Sequence, residues 1–170
     1  MAATLPAESA AAVAAALGLE RHPEGGFFRR WFTAVAADGA RPAASSILYL
    51  LPLGGTCSLH ALADSAELWF HQAGAALEVV TLLPDGGVRA ERVRPGAPLA
   101  VSAGAVFGAR LRAVAPGEPP YALVACAVAP AFEWAAWRHP SRAELRARFP
   151  GAAAAAVIEE LGRPDADAAA

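Results

Sequence analysis

Lysine is absent from this chain of 170 residues, and all 14 basic side chains are arginines spread along the sequence. The formal net charge is -2, and no basic cluster favours nucleic acid or a membrane surface as a partner. Apolar runs are interrupted by glycine, proline or charged residues before they reach the length of a membrane-spanning helix. We therefore expect neither a nucleic-acid partner nor a membrane partner.

Cysteine is scarce, with Cys57 and Cys126 each lying inside an apolar run. Two such cysteines indicate buried, reduced thiols rather than a disulfide framework. The N-terminal segment carries Glu8 and lacks a basic region before its apolar residues, so a secretory signal is not expected. These features predict a cytoplasmic protein, and the chain length predicts a single domain over residues 1–170.

Short strands are predicted in the middle of the chain and helices at its two ends. Residues 7–17 are rich in alanine and precede Gly18, which predicts a helix. Turn residues separate predicted strands at 45–51, 66–72, 106–114 and 121–129, a hairpin over 77–93 and a short strand within 97–104. Ser141 with Glu144 resembles a capping box, so one or two helices are predicted to residue 162. The tail 163–170 is predicted to be disordered. This order favours a β-sandwich or a closed barrel.

A histidine and a carboxylate stand among apolar residues in GGTCSLHALADSAELWFHQAG, residues 54–74. Five residues separate Gly54 from His60, one separates His60 from Leu62, four separate Leu62 from Glu67, and six separate Glu67 from Gly74. This spacing resembles the first motif of the cupin superfamily, in which a second histidine stands at the position of Leu62.

A second segment, GAPLAVSAGAVFGARL, begins at Gly96 and resembles the second cupin motif. Gly104 keeps the register of that motif, while Phe107 stands at the position of its histidine ligand and Leu111 at that of its asparagine. Two of the four ligand positions of the superfamily are therefore apolar here.

Four further segments narrow the resemblance: HPEGGFFRR, ILYLL, SLHALADSAELWF and VAPAFEWAAW. Together they resemble the cupin subgroup called DUF985 or cupin_5, over about residues 17–150. The resemblance implies a double-stranded β-helix, a jelly-roll barrel that encloses a cavity and pairs as a homodimer. The chain departs from the subgroup at Phe70, where a histidine is usual, and at Ala131, where a glycine is usual.

The resemblance implies a divalent metal, Zn, Fe, Mn or Ni, held by His60 and Glu67, since imidazole and carboxylate suit such ions. Two ligands are too few for a tight site, and His71, Glu24 or His22 would have to supply a third. The alternative is a metal-free pair in which His60 and Glu67 are hydrogen-bonded. An unpaired carboxylate would be costly inside an apolar barrel, so Glu67 must have a partner.

Side chains alternate along a strand, which predicts that Glu67, Trp69 and His71 share one face. His71 is then either a site residue or a strand-end residue bonded near the rim. Cys57 lies three residues before His60, so alternation predicts that these two side chains point to opposite faces. That geometry speaks against a Cys57 nucleophile activated by His60.

The HPEGGFFRR segment has two interpretations. Its proline and paired glycines are sufficient reason for a turn, and its aromatic residues can fill a core. Alternatively, Glu24 closes a ligand pocket, and Arg29 or Arg30 binds a carboxylate or phosphate. On this second interpretation, the predicted ligand-binding residues are His22, Glu24, Arg29, Tyr49, Trp69, His71 and Phe107.

We therefore predict that the barrel binds a small polar or sugar-like metabolite. In the enzymatic interpretation it carries out isomerase, epimerase or lyase chemistry, with His60 as the base and Glu67 as the acid or a metal ligand. In a second interpretation the protein is a non-catalytic sensor or carrier. In a third it is a structural homodimer with a degenerate metal site.

Overall fold

The computed structural model describes residues 9–36 and 40–165. In chain order the elements are α1 (Ala10–Leu17), β1 (Glu20–Arg21), β2 (Phe27–Thr33), β3 (Ser45–Pro52), β4 (Thr56–Leu62), β5 (Ala66–Gly74), β6 (Leu77–Leu82), β7 (Val88–Val93), β8 (Leu99–Val101), β9 (Val106–Arg110), β10 (Tyr121–Ala129), β11 (Trp137–Arg138), α2 (Arg142–Arg148) and α3 (Ala152–Leu161). Residues 7 and 8, where the first helix was predicted to begin, lie outside the described residues. Within the described ranges, none of the helices is both long and apolar enough to span a membrane.

The strands form two sheets whose neighbours pair antiparallel. The first sheet has the order β1-β2-β3-β10-β5-β8, and the second has the order β11-β4-β9-β6-β7. Strands that are distant in sequence lie side by side, as in a jelly roll. The predicted double-stranded β-helix barrel with helices at both ends is therefore confirmed.

Aromatic residues fill the barrel between the two sheets. Tyr49 on β3, Trp69 on β5 and Phe107 on β9 are almost completely buried and belong to one core cluster. The ring of Trp69 meets those of Tyr49 and Phe107 edge-on, with centroids 5.9 and 6.3 Å apart. Edge-to-face contacts of this kind add to the stabilisation gained from apolar burial.

The terminal helices cover the outer faces of the sheets. Leu59 on β4 packs with Leu145 of α2 and Ile158 of α3 beneath the five-stranded sheet. Val13 of α1 packs against Leu50 on the six-stranded sheet. These contacts give the short helices their stability, because isolated helices of this length are marginal in water.

Local hydrogen bonds cap the start of α2. Ser141 and Glu144 form the predicted capping box at the start of α2. Residues 163–165, the first part of the tail predicted to be disordered, contact the same end of α2. The backbone N–H of Arg142 donates to the carbonyl of Arg163 at 3.1 Å, and the N–H of Ala143 donates to Asp165 Oδ1 at 2.9 Å. Residues 166–170 lie outside the described residues.

A bulge in β4 changes the direction of its side chains. The pairing of β4 with β9 shifts register between Cys57 and His60, so β4 holds one extra residue there. Cys57 therefore joins the barrel interior, whereas Leu59 packs on the outer face. Gly108 on β9 permits this approach, because a Cβ atom there would lie 2.7 Å from the Cys57 carbonyl oxygen. The prediction that Cys57 and His60 point to opposite faces is wrong for this reason.

Candidate functional site

A cavity of about 590 Å³ lies between the two sheets. Its lining includes His60 on β4, Glu67 on β5, His22 and Glu24 from the segment before β2, and Arg30 on β2. The volume falls in the range of pockets that bind small molecules. Five residues that the sequence suggested for the site, with Arg30 as the alternative to Arg29, therefore meet at one cavity.

The turn at residues 22–26 is pressed against the barrel wall. Gly25 adopts a φ of 104°, and a Cβ atom there would lie 2.2 Å from the carbonyl oxygen of Thr56. The backbone N–H of Ser58 donates to the carbonyl oxygen of Glu24 at 2.7 Å, and the Tyr49 hydroxyl donates to that of Gly25 at 2.8 Å. These contacts hold the Glu24 side chain inside the barrel, where the residue is 8% exposed.

The Glu24 carboxylate is the centre of a buried polar network. Its Oε1 accepts a hydrogen bond from Trp137 Nε1 at 2.6 Å. Its Oε2 accepts from the Cys57 thiol at 3.3 Å and lies 3.2 Å from Nδ1 of His60. A buried carboxylate requires such partners, and both oxygens of Glu24 have them.

His60 lies between two carboxylates. Its Nδ1 is 2.9 Å from the carbonyl oxygen of Ser58, and its Nε2 is 3.9 Å from Oε2 of Glu67. A carbonyl oxygen only accepts hydrogen bonds, so Nδ1 carries a hydrogen. Burial disfavours the imidazolium, but the nearby Glu24, Cys57 and Glu67 outweigh this effect, so the pKa of His60 lies well above its ordinary value.

Glu67 faces the cavity from the opposite sheet and is 7% exposed. Burial raises the pKa of its carboxyl, and the neighbouring His60 offsets only part of that rise. The 3.9 Å between His60 Nε2 and Glu67 Oε2 exceeds a direct hydrogen bond. A group of a bound ligand can therefore contact both side chains at once.

His22 contributes a neutral imidazole to the cavity wall. Burial lowers its pKa, against the opposing effect of Glu24. Its Nδ1 accepts a hydrogen bond from the backbone N–H of Glu24 at 3.2 Å, and its ring meets Phe28 edge-on with centroids 4.6 Å apart. His22 is thus a fixed polar group that can bind a ligand hydroxyl.

Glu24, Cys57 and His60 form a group of potential metal ligands whose donor atoms all lie within 4.8 Å of one another. Two of these ligand atoms, however, carry a proton where a metal ligand would have none. Nδ1 of His60 carries a hydrogen toward the Ser58 carbonyl, and metal-bound imidazole nitrogens are unprotonated. Burial, with a further effect of Glu24, raises the pKa of the Cys57 thiol to about 11, whereas thiol ligands bind as thiolates.

The usual cupin ligand positions do not supply a complete set of metal ligands either. Leu62 lines the cavity where the second histidine would stand, and the ring centroid of Phe107 lies 4.3 Å from that of His60. The four cupin ligand positions therefore offer a metal only Nε2 of His60 and the carboxylate of Glu67. Two protein ligands are fewer than the three that catalytic zinc sites use.

Several predicted site residues lie elsewhere. Tyr49, Trp69 and Phe107 belong to the barrel core and do not line the cavity. Arg29 does not line it either, whereas the neighbouring Arg30 does. His71 is separated from Glu67 by about 13 Å of strand, and its Nε2 pairs with the Gly74 carbonyl at 3.0 Å. His71, one of the three residues proposed as a third metal ligand, therefore does not lie beside His60.

Sequence reasoning did not identify Trp137 or Cys57 as parts of the site. Trp137 lies in a strand of only two residues, which has no hydrophobic periodicity to reveal it. The direction of Cys57 depends on the bulge opposite Gly108. A lone glycine inside the apolar run of β9 was the available signal, because such glycines often mark bulges or close approach of the backbone.

Solved structures resemble the chain over most of its length. A hypothetical protein from Leishmania major is 26% identical with a TM-score of 0.78, covering 91% of this chain and 99% of that one. A protein from Shewanella oneidensis is 29% identical with a TM-score of 0.79, covering 93% and 99%. A cupin 2 domain-containing protein from Halorhodospira halophila is 16% identical with a TM-score of 0.58, covering 86% and 89%, and shares the fold. Among curated protein sequences, none matches this chain.

The sequence profile of one family covers the barrel and the residues around its cavity. The profile, described as Cupin superfamily (DUF985), matches residues 11–139. The matched region contains the turn that carries Glu24, the strands that carry His60 and Glu67, and Trp137. The chain therefore belongs to the cupin superfamily, in the family DUF985.

Proposed function

We propose that the protein binds a small polar, sugar-like metabolite in the barrel cavity and transfers protons on it, as isomerases and epimerases do. One observation supports this most: Nε2 of His60 and Oε2 of Glu67 face each other across 3.9 Å at the cavity. General acid–base catalysis needs two titratable groups within reach of one substrate.

Glu24 gives His60 its orientation in this proposal. A carboxylate that binds one ring nitrogen fixes the ring and stabilises the imidazolium, leaving the other nitrogen to act on the substrate. The sequence suggested His60 as the base and Glu67 as the acid. Because the pKa of His60 is raised well above its ordinary value, we assign the first proton donation to His60.

The proposed step moves two protons. The Glu67 carboxylate takes a proton from the carbon next to a substrate carbonyl, and the electrons of that C–H bond form a carbon–carbon double bond. The carbonyl oxygen takes the proton from His60 Nε2, which gives an enediol. Return of a proton from Glu67 to the former carbonyl carbon yields the isomer, and His60 recovers its proton from the hydroxyl of the carbon that first lost its hydrogen.

Exchange with heavy water tests this function. The protein is incubated with hexoses, hexose phosphates and hexuronates in heavy water, and NMR detects deuterium at the carbon next to the carbonyl. We expect exchange on at least one sugar, unchanged by a chelator because the step uses no metal. Binding without exchange would favour a sensor or carrier, and absence of both would favour a structural homodimer.

The homodimer that the family resemblance implies has a candidate surface on β2. Trp31 and Phe32 on this strand are 59% and 49% exposed, and Val35 just after it is 99% exposed. Large apolar side chains that cluster on an exposed sheet region are typical of an interface between copies.

Phe32→Arg is therefore expected to convert a dimer into a monomer, because it places a charge in the apolar contact. Light scattering coupled to size-exclusion chromatography measures the mass. The control is Leu53→Arg, at another exposed apolar residue, 43% exposed, in the turn after β3. A monomeric wild type, or a dimer that both variants retain, would contradict this surface.

A further inference from the structure

Arg30 lies at the cavity without a carboxylate partner among the described residues. It lines the cavity from β2, and none of the carboxylates in residues 9–36 and 40–165 lies within ion-pair distance of it. Arg41, by contrast, is paired with Asp64, and Arg110 is paired with Glu78. The guanidinium of Arg30 is thus available to a ligand in the cavity.

Aromatic side chains flank this guanidinium. The Arg30 guanidinium carbon lies 5.7 Å from the centroid of the Phe132 ring, within the range of a cation–π contact. Phe132 in turn meets Trp134 edge-on, with ring centroids 5.1 Å apart. Trp134 also lines the cavity and is 65% exposed, so its face is open to a ligand at the rim. The contact with Phe132 limits the motion of the Arg30 guanidinium and leaves its N–H groups free to donate.

The charged residues around the cavity favour one orientation of an anionic ligand. Glu24 and Glu67, the buried carboxylates beside His60, would repel an anionic group placed next to them. Glu20 and Arg21 also line the cavity, but the Arg21 guanidinium carbon lies 4.5 Å from the ring centroid of Phe27, a residue that does not line it. The Arg30 guanidinium, by contrast, lies beside the cavity-lining Phe132, where an anion entering the cavity can reach it.

We propose that the ligand is a monosaccharide-sized polyol with an anionic group, a carboxylate or a phosphate, which the Arg30 guanidinium binds. The carbonyl end of the ligand then reaches His60 and Glu67, and its ring packs on Trp134. Arg30 is then a specificity-determining residue. The inference rests on the proposed function and adds the chemical class of the substrate.

Calorimetric titration at low ionic strength tests this inference with three probes: D-glucose, D-glucuronate and D-glucose 6-phosphate. At least one anionic sugar should bind the wild type about tenfold or more tightly than glucose, as hydrogen bonds to charged groups typically provide. Arg30→Gln should remove that advantage. Arg29→Gln is the matched control, since Arg29 does not line the cavity, and should keep it within about twofold.

The carboxylate and phosphate probes separate the two kinds of anion. Equal affinity for glucose and both anionic sugars would overturn the inference while leaving the proposed function intact. An anion preference that persists in Arg30→Gln would overturn the role of Arg30. Failure of all three probes to bind would overturn the named ligand class, and heavy-water exchange on the wider sugar panel would still decide the proposed function.

Discussion

Glu24→Ala is expected to lower the free energy of unfolding by about 3–5 kcal/mol, which is the usual cost of removing one partner from a buried charge pair. The substitution leaves the His60 imidazolium without its nearest carboxylate, 3.2 Å away in the native protein. It also deprives Trp137 Nε1 and the Cys57 thiol of their acceptor. Unsatisfied buried donors add to the loss. Urea unfolding followed by tryptophan fluorescence measures the change.

Two variants separate this effect from a general loss of charge. Glu20→Ala removes an exposed carboxylate from the rim of the same cavity and should change stability by no more than about 0.5 kcal/mol. Glu24→Gln keeps an acceptor for Trp137 and should fall between the wild type and Glu24→Ala. If Glu24→Ala is as stable as Glu20→Ala, the carboxylate is not the centre of the network.

His60→Gln and Glu67→Gln are each expected to slow heavy-water exchange by about 10²–10⁴-fold, the usual contribution of a positioned acid or base. Glutamine preserves much of the size and hydrogen bonding of either side chain but cannot exchange a proton near neutral pH. The two losses should not add in the double variant, because both groups act in one step. NMR exchange rates on the sugar that the wild type turns over provide the measurement.

His71→Gln is the matched control for these two variants. His71 lies on the same strand as Glu67, pairs with the Gly74 carbonyl and does not line the cavity. Its replacement should leave the exchange rate within about twofold of the wild type. Full activity in His60→Gln, or an equal loss in His71→Gln, would show that the His60–Glu67 pair does not perform the reaction.

Local patterns were sufficient to predict most of the barrel. The β-branched and aliphatic run of β10 and the turn around Asp85 and Gly86 each carry their own signal. The capping box of α2 is equally local, with Ser141 and Glu144 both present in the sequence and bonded in the structure. The strand β2 was not predicted, since its side chains are largely exposed and lack the alternation that marks a half-buried strand.

The site depends on contacts that no local pattern specifies. His60 and Glu67 followed from the spacing of one motif, but the partner of His60 comes from a turn more than thirty residues earlier, held by Gly25 against β4. The bulge that turns Cys57 inward arises from the pairing of two strands. The choice between Arg29 and Arg30 depends on which face of β2 meets the cavity. Such features are set by tertiary packing and become visible only when the strands are assembled.

We infer that His60 is an imidazolium held by Glu24, with its second nitrogen facing the cavity and no metal on the first. NMR of the imidazole nitrogens over a pH titration, with His60→Gln to assign the signals, measures the protonation of each nitrogen. We expect a hydrogen on Nδ1 throughout and loss of the Nε2 proton only well above the ordinary pKa of 6.5. A pKa of His60 below that value, or an unprotonated Nδ1 of the kind that binds metal, would contradict it.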